Sequence, residues 1–136
     1  MNSDFLDAHE RHWEDAGSLL EDQRYANADH LYGMAAECGL KRLMFAFGMP
    51  QAKDGGPEGE YRLHVNELWS RYEAYRSGRP AGAGYALPTL NPFRDWNASQ
   101  RYAHRGCFKP DIVEAHQKGA EVVRSLIRKA QKDGLI

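Results

Sequence analysis

The sequence predicts an all-α fold, an up-and-down bundle of four to five helices, on three observations. Apolar residues recur at spacings of three and four through four long segments, no segment alternates polar and apolar residues as a strand does, and Gly or Pro follows the later helical runs. At 136 residues the chain has the size of one domain, residues 1–136, able to bury about two-thirds of the surface its unfolded form exposes.

The first helix is expected from about Asp4 to Glu21, where His9, Trp13, Ala16 and Leu20 form one stripe with Phe5 a turn earlier. Ser3 is its expected N-cap, with Asp4 and Asp7 near the positive end of the dipole. The second, about Ala26 to Phe47, has the broadest apolar arc: Ala28, Leu31, Tyr32, Ala35, Cys38, Gly39, Leu43, Ala46 and Phe47. Gly48 and Pro50 stop it, Glu37 and Lys41 form an i,i+4 pair, and small residues such as Gly33 and Gly39 allow close neighbours. Residues 51–59 are a loop by composition. Tyr61, Val65, Leu68, Tyr72 and Tyr75 then carry a third helix to about Arg76.

A sixteen-residue Gly/Pro-rich loop follows, Pro80 to Asp95, longer than ordinary helix connections and of the length that is usually functional or mobile. Tyr85, Leu87, Leu90, Phe93 and Trp96 are expected to lie back on the bundle. Asn97 and Gln100 have capping-box spacing for a short helix through Arg105, closed by Gly106. The last helix starts at Pro110 or Asp111, is expected to bury Ile112, Ala115, Gly119, Val122, Val123, Leu126 and Ala130, and ends among basic residues before Gly134.

Composition excludes several classes. Cys38 and Cys107 are too few for a disulfide scaffold and read as reduced thiols. The N-terminus lacks a basic region followed by an apolar run, and no stretch approaches the roughly eighteen apolar residues of a bilayer span, so the chain reads as cytoplasmic with no membrane partner. The net charge of −1 conceals an asymmetry: residues 1–30 hold eight acids against Arg11 and Arg24, and residues 101–136 hold eight bases against four acids. Side-by-side packing of the first and last helices would make this charge complementarity within the bundle; otherwise the basic end is a surface for phosphate.

The order of landmarks points to a family. His12-Trp13-Glu14-Asp15-Ala16 in the first helix is followed by the run from Arg24 to Tyr32 (RYANADHLY) and by Ala35-Ala36-Glu37-Cys38-Gly39-Leu40-Lys41. After these come His64-Val65-Asn66-Glu67-Leu68, the Arg101-Tyr102 turn and Glu114-Ala115. Together, across about residues 5–130, they resemble HEPN domains. The resemblance implies an up-and-down α-bundle that pairs as a homodimer. It implies a setting beside a small nucleotidyltransferase in toxin–antitoxin or defence systems, and in many members a metal-independent RNase.

Nuclease members carry an Arg, four to six residues and a His near the junction of the later helices, the imidazole moving the 2′-hydroxyl proton and the guanidinium holding the phosphate. Arg24 and His30 have the spacing but stand at the start of the second helix, about 600° of rotation apart. Arg101 and His104 stand near the family's usual place but only two residues intervene. These two are the candidate catalytic residues, with Trp96, Asn97, Tyr102 and Arg105 as candidate nucleotide- or RNA-binding residues; the competing reading is a structural turn.

Other chemistries are less well served. A metal between helices would draw on His9 and His12 with His64 or His116, but the paired Glu-x-x-His motifs of di-iron bundles are missing and His9 on a partly apolar stripe reads as a packed histidine; no metal or cofactor is assigned. Gly55-Gly56-Pro57-Glu58-Gly59 lacks the lysine and hydroxyl of a phosphate loop, and Cys38 reads as buried rather than reactive. The expectation is therefore a dimeric HEPN-like binding or assembly module contacting a nucleotide, RNA or partner protein through residues 80–106. An RNase built on Arg101, His104 and Arg105 is the alternative, and a metal-dependent bundle the third reading.

Overall fold

In the computed structural model, which covers residues 1–136, Asp4 rather than Ser3 caps the first helix. Its carboxylate accepts hydrogen bonds from the Leu6 and Asp7 amides at 3.1 and 3.0 Å, satisfying two of the donors that a helix start leaves open. Helix α1 (Phe5–Glu21) ends in a tight reversal at Gln23, whose φ of 58° is the left-handed conformation usually given to glycine. The amides of Gln23 and Arg24 bond back to the carbonyls of Leu20 and Leu19 at 3.0 and 2.9 Å, so α2 (Tyr25–Ala46) starts at once and runs antiparallel to α1.

Helix α2 is the central element, packed against α1, α3 (Val65–Ser77) and α4 (Pro110–Lys132). Thirteen of its 22 residues are buried, among them Asp29, Glu37 and Lys41, whose charges are therefore structural. Lys41 donates to Glu37 at 2.6 Å, and the other Glu37 oxygen lies 3.0 Å from His64 Nδ1. Phe5 places its ring 5.6 Å from the same ammonium. Helix α3 begins four residues later than the apolar spacing predicts. Tyr61 belongs instead to a 3₁₀ turn, Gly59–Tyr61, and packs edge-on against Tyr75.

No strand is present, and the architecture is an all-α bundle of four helices joined by 3₁₀ turns. No helix is long and apolar enough to cross a membrane. The first and last helices do meet: Arg124 donates to Glu10 at 2.6 Å and covers the Trp13 ring at 5.2 Å, so part of the charge asymmetry is complementarity within the bundle.

The face that α4 buries matches the predicted one at Gly119, Val123 and Ala130 and is shifted by one residue elsewhere. Val113, His116, Ala120, Val123, Ile127 and Ala130 point inward, whereas Ala115 is exposed and Ile112, Val122 and Leu126 are half-buried. One residue is a 100° rotation of the helix, and the true stripe contains a histidine that an apolar pattern skips.

The long loop is stitched down along its length. Tyr72 Oη donates to the Tyr85 carbonyl at 2.7 Å, the Leu87 amide to Glu73 at 2.5 Å, Trp69 Nε1 to the Pro88 carbonyl at 3.3 Å, and Asn91 Nδ2 to the Asn66 carbonyl at 2.9 Å. Tyr85, Leu87, Phe93 and Trp96 are buried as expected; Leu90 is not, being 68% exposed at the loop tip. The expected short helix after the loop is two 3₁₀ turns, Ala98–Tyr102 and Arg105–Cys107, separated by extended backbone.

Candidate functional site

Asp29 organises the segment after the loop. Its carboxylate accepts from His116 Nδ1 at 2.6 Å on one oxygen and from Gln100 Nε2 at 2.5 Å on the other, while its backbone carbonyl accepts from the Trp96 indole at 3.2 Å. The second His116 nitrogen lies 2.9 Å from Asp95, and Phe93 stacks on the imidazole at 5.3 Å. Burial works against a charged imidazole here, but the bonds and charges of Asp29 and Asp95 outweigh it and raise the His116 pKa, and a carboxylate oxygen faces each ring nitrogen, the geometry that a protonated ring satisfies. Trp96 reaches its place because Gly33 of α2 has no side chain: a β-carbon there would occupy the space of the indole ring.

This arrangement presses residues 97–105 against the start of α2. Asn97 caps the first 3₁₀ turn through the Ser99 amide at 2.8 Å, and Gln100 Oε1 returns to the Asn97 amide at 3.1 Å, the capping box expected from the spacing. Gln100 thus spends its amide nitrogen on Asp29 and its oxygen on the turn. Between this turn and α2 lies a groove of about 470 Å³, bordered by residues 23–27 on one side and by Gln100, Arg101, Ala103 and Arg105 on the other.

Three arginines, Arg24, Arg101 and Arg105, line the groove, with no carboxylate among its lining residues. None of the three joins an ion pair elsewhere in the molecule. No side chain caps the start of α2, so the first-turn amides of that helix add their partial positive charge on the same side. A planar fork of donors on each guanidinium, in a groove without acids, is the chemistry that holds an oxyanion. A second cavity, about 700 Å³, is less suited to this: its single cation, Arg42, lies with Asp4, the carboxylate that caps α1.

The candidate residues read from sequence divide accordingly. Arg101 and Arg105 line the groove; Trp96, Asn97, Tyr102 and His104 do not. Trp96 is 1% exposed, with His30 stacked against it at 5.7 Å, so no base can stack on it without displacing protein. His104 caps the second 3₁₀ turn by accepting from the Gly106 amide at 3.0 Å, and Asn97 is committed to the first. Tyr102, 78% exposed, carries the Arg101 guanidinium 4.8 Å from its ring at the rim. Sequence reasoning missed Gln100, Asp29 and His116 as the supports of the site, and set Arg24 aside because it stands at the start of the second helix, about 600° of rotation from His30.

The chain matches no family model, no curated protein and no solved structure at a significant level.

Two histidines lie against Trp96. His30 stacks on one indole face and the His64 ring lies 6.4 Å away from the indole. Burial, and next the charge of Arg101, lower the His30 pKa, and its Nδ1 is buried without a hydrogen-bond partner. Burial also lowers the pKa of His12, which lies within reach of the charges of His30 and Glu37. These side chains do not converge on a common point: no group of three His, Cys, Asp or Glu is arranged to hold a metal ion. His9 is a packed histidine, its Nδ1 2.8 Å from the Ala35 carbonyl and its ring wholly buried. Cys38 is buried as well, its thiol pushed up to about 12 by desolvation, and is unsuited to nucleophilic chemistry.

Proposed function

We propose that the protein is a HEPN-like binding module that holds the phosphate of a nucleotide or of RNA in the groove between the start of α2 and residues 100–105. The observation that carries this reading is the set of three arginines without acidic partners around one cavity. The order of sequence landmarks described above adds the HEPN resemblance, and with it a homodimer and a nucleotidyltransferase-type partner in a toxin–antitoxin or defence setting. The test is fluorescence anisotropy with labelled single-stranded RNA and with a labelled nucleotide, beside an Arg24→Ala/Arg101→Ala/Arg105→Ala variant whose helicity is checked by circular dichroism. Binding by the native chain that is lost in a well-folded variant supports the reading; binding that the variant retains defeats it. Light scattering on the same samples reports whether the chain pairs.

A second reading, metal-independent RNA cleavage, is favoured by one juxtaposition. Burial, and next the charge of the nearby Arg101, lower the His30 pKa, and a neutral imidazole is the form that takes a proton from a 2′-hydroxyl. His30 replaces His104 in this role, since His104 is committed to a turn. Cleavage in EDTA that survives His104→Ala and vanishes in His30→Ala is the expected pattern; an RNA left intact by the native chain removes this reading.

A further inference from the structure

Resting on the phosphate-binding reading of the groove, we propose that its ligand is a terminal phosphate monoester of a nucleotide, in preference to the internal diester of an RNA strand. Size is the first argument. At about 470 Å³ the groove is on the scale of a small-molecule site and not of a channel that tracks successive nucleotides. Charge is the second. Arg24, Arg101 and Arg105 set three guanidiniums around it with no carboxylate in the lining to offset them. A terminal monoester carries about −1.5 to −2 at neutral pH and presents three free oxygens, one for each guanidinium fork. An internal diester carries a single charge, has two free oxygens and must leave the site in two directions, past both α2 and the turn.

Tyr102 supplies the rest of a nucleotide site. Its ring is exposed at the rim beside Arg101, one face toward that guanidinium and the other available to a base. Gln100, although it lines the groove, is spent on Asp29 and on its own turn and adds no competing acceptor toward the phosphate.

The experiment is calorimetry at fixed ionic strength and pH 7.5 with four probes: adenosine 5′-monophosphate, the diester adenylyl-adenosine, and one short RNA with a 5′-phosphate or a 5′-hydroxyl. The monophosphate is expected to bind at least about tenfold tighter than the diester, one further charge-assisted contact. Arg101→Lys, which keeps the charge and loses the fork, is expected to shrink that ratio. At pH 5, below the phosphate's second ionisation near 6, the ratio is expected to fall toward one. A 5′-phosphate that tightens the RNA to the same degree makes the source an RNA end; a monophosphate that binds where the phosphorylated RNA does not makes it a free nucleotide. Equal affinity for monoester and diester, abolished together in the triple-arginine variant, overturns this inference and leaves the phosphate-binding reading standing. Absence of binding by every probe overturns both.

Discussion

Asp29 and His116 are joined by a 2.6 Å hydrogen bond across 87 residues of sequence, with both side chains buried. The pair links the first turns of α2 to α4, and through Gln100 and Asp95 it fixes the segment that carries Arg101 and Arg105. Removing one partner leaves a buried charge uncompensated, a loss of about 3–5 kcal/mol. Asp29→Ala is therefore expected to lower the melting temperature strongly, and the double variant with His116→Ala to be less damaged than the sum of the two single changes. Additive losses in a denaturation cycle would show that the two residues act separately.

The same pair sets the sign of the pH dependence. His116 has a folded pKa above its unfolded value of 6.5, so its contribution is fully present below about pH 6.5 and is lost as pH rises through the higher folded value. His9, His12 and His30 have folded pKa values below 6.5 because burial disfavours their charge, so their contribution is present above 6.5 and is lost on acidification. Stability measured by urea titration is expected to peak near neutrality and to fall on both sides. His116→Gln should remove the decline just above neutrality and leave the acid-side decline in place.

The helices were legible in sequence because three-and-four spacing of apolar residues survives any detail of packing. The phase of α4 was legible only in part. Gly119, Val123 and Ala130 are buried as the spacing predicts, but two stripes one residue apart compete for the rest of the face, one through Ile112, Ala115, Val122 and Leu126, the other through Val113, His116, Ala120 and Ile127. The second contains a polar residue, and only the position of Asp29 on another helix makes that residue the buried one. The groove was half legible for a related reason. Arg101 and Arg105 stand out in a basic C-terminal region, but their meeting with Arg24 depends on how Trp96 docks, which no local pattern encodes.

That docking rests on Gly33. A β-carbon at this position would fall inside the Trp96 indole, and since the ring is held by the Asp29 carbonyl and by His30, it has little freedom to retreat. Gly33→Ala is expected to cost at least about 1–3 kcal/mol despite the better helix propensity of alanine. Trp96 fluorescence should shift toward that of a solvated indole. An unchanged spectrum and melting temperature would mean that the indole can slide aside.

Gln23 offers the opposite sign. Its φ of 58° places a side chain in a left-handed conformation at the end of α1, in the hydrogen-bond pattern that glycine usually completes. Gln23→Gly removes that strain, worth roughly 1 kcal/mol, against a partly offsetting gain in unfolded-chain freedom. A small rise in melting temperature is expected, and a fall would indicate that the Gln23 side chain makes a compensating contact at the groove edge.

Binding at the groove has a signature in salt. Each guanidinium that pairs with RNA phosphate releases condensed counterions, so affinity falls as salt rises, with a slope of about −0.7 per phosphate contact on single strands. Replacing Arg24, Arg101 or Arg105 singly by alanine is expected to weaken binding of a 5′-phosphorylated RNA and to make its salt dependence shallower. The same replacements are expected to leave thermal stability unchanged, because none of the three is part of an ion pair within the fold. Arg128→Ala, an exposed arginine of α4 away from the groove, is the control and should leave the slope as it was. A slope that drops as much for Arg128→Ala as for Arg101→Ala would spread the binding over the basic C-terminal region and take it away from the groove.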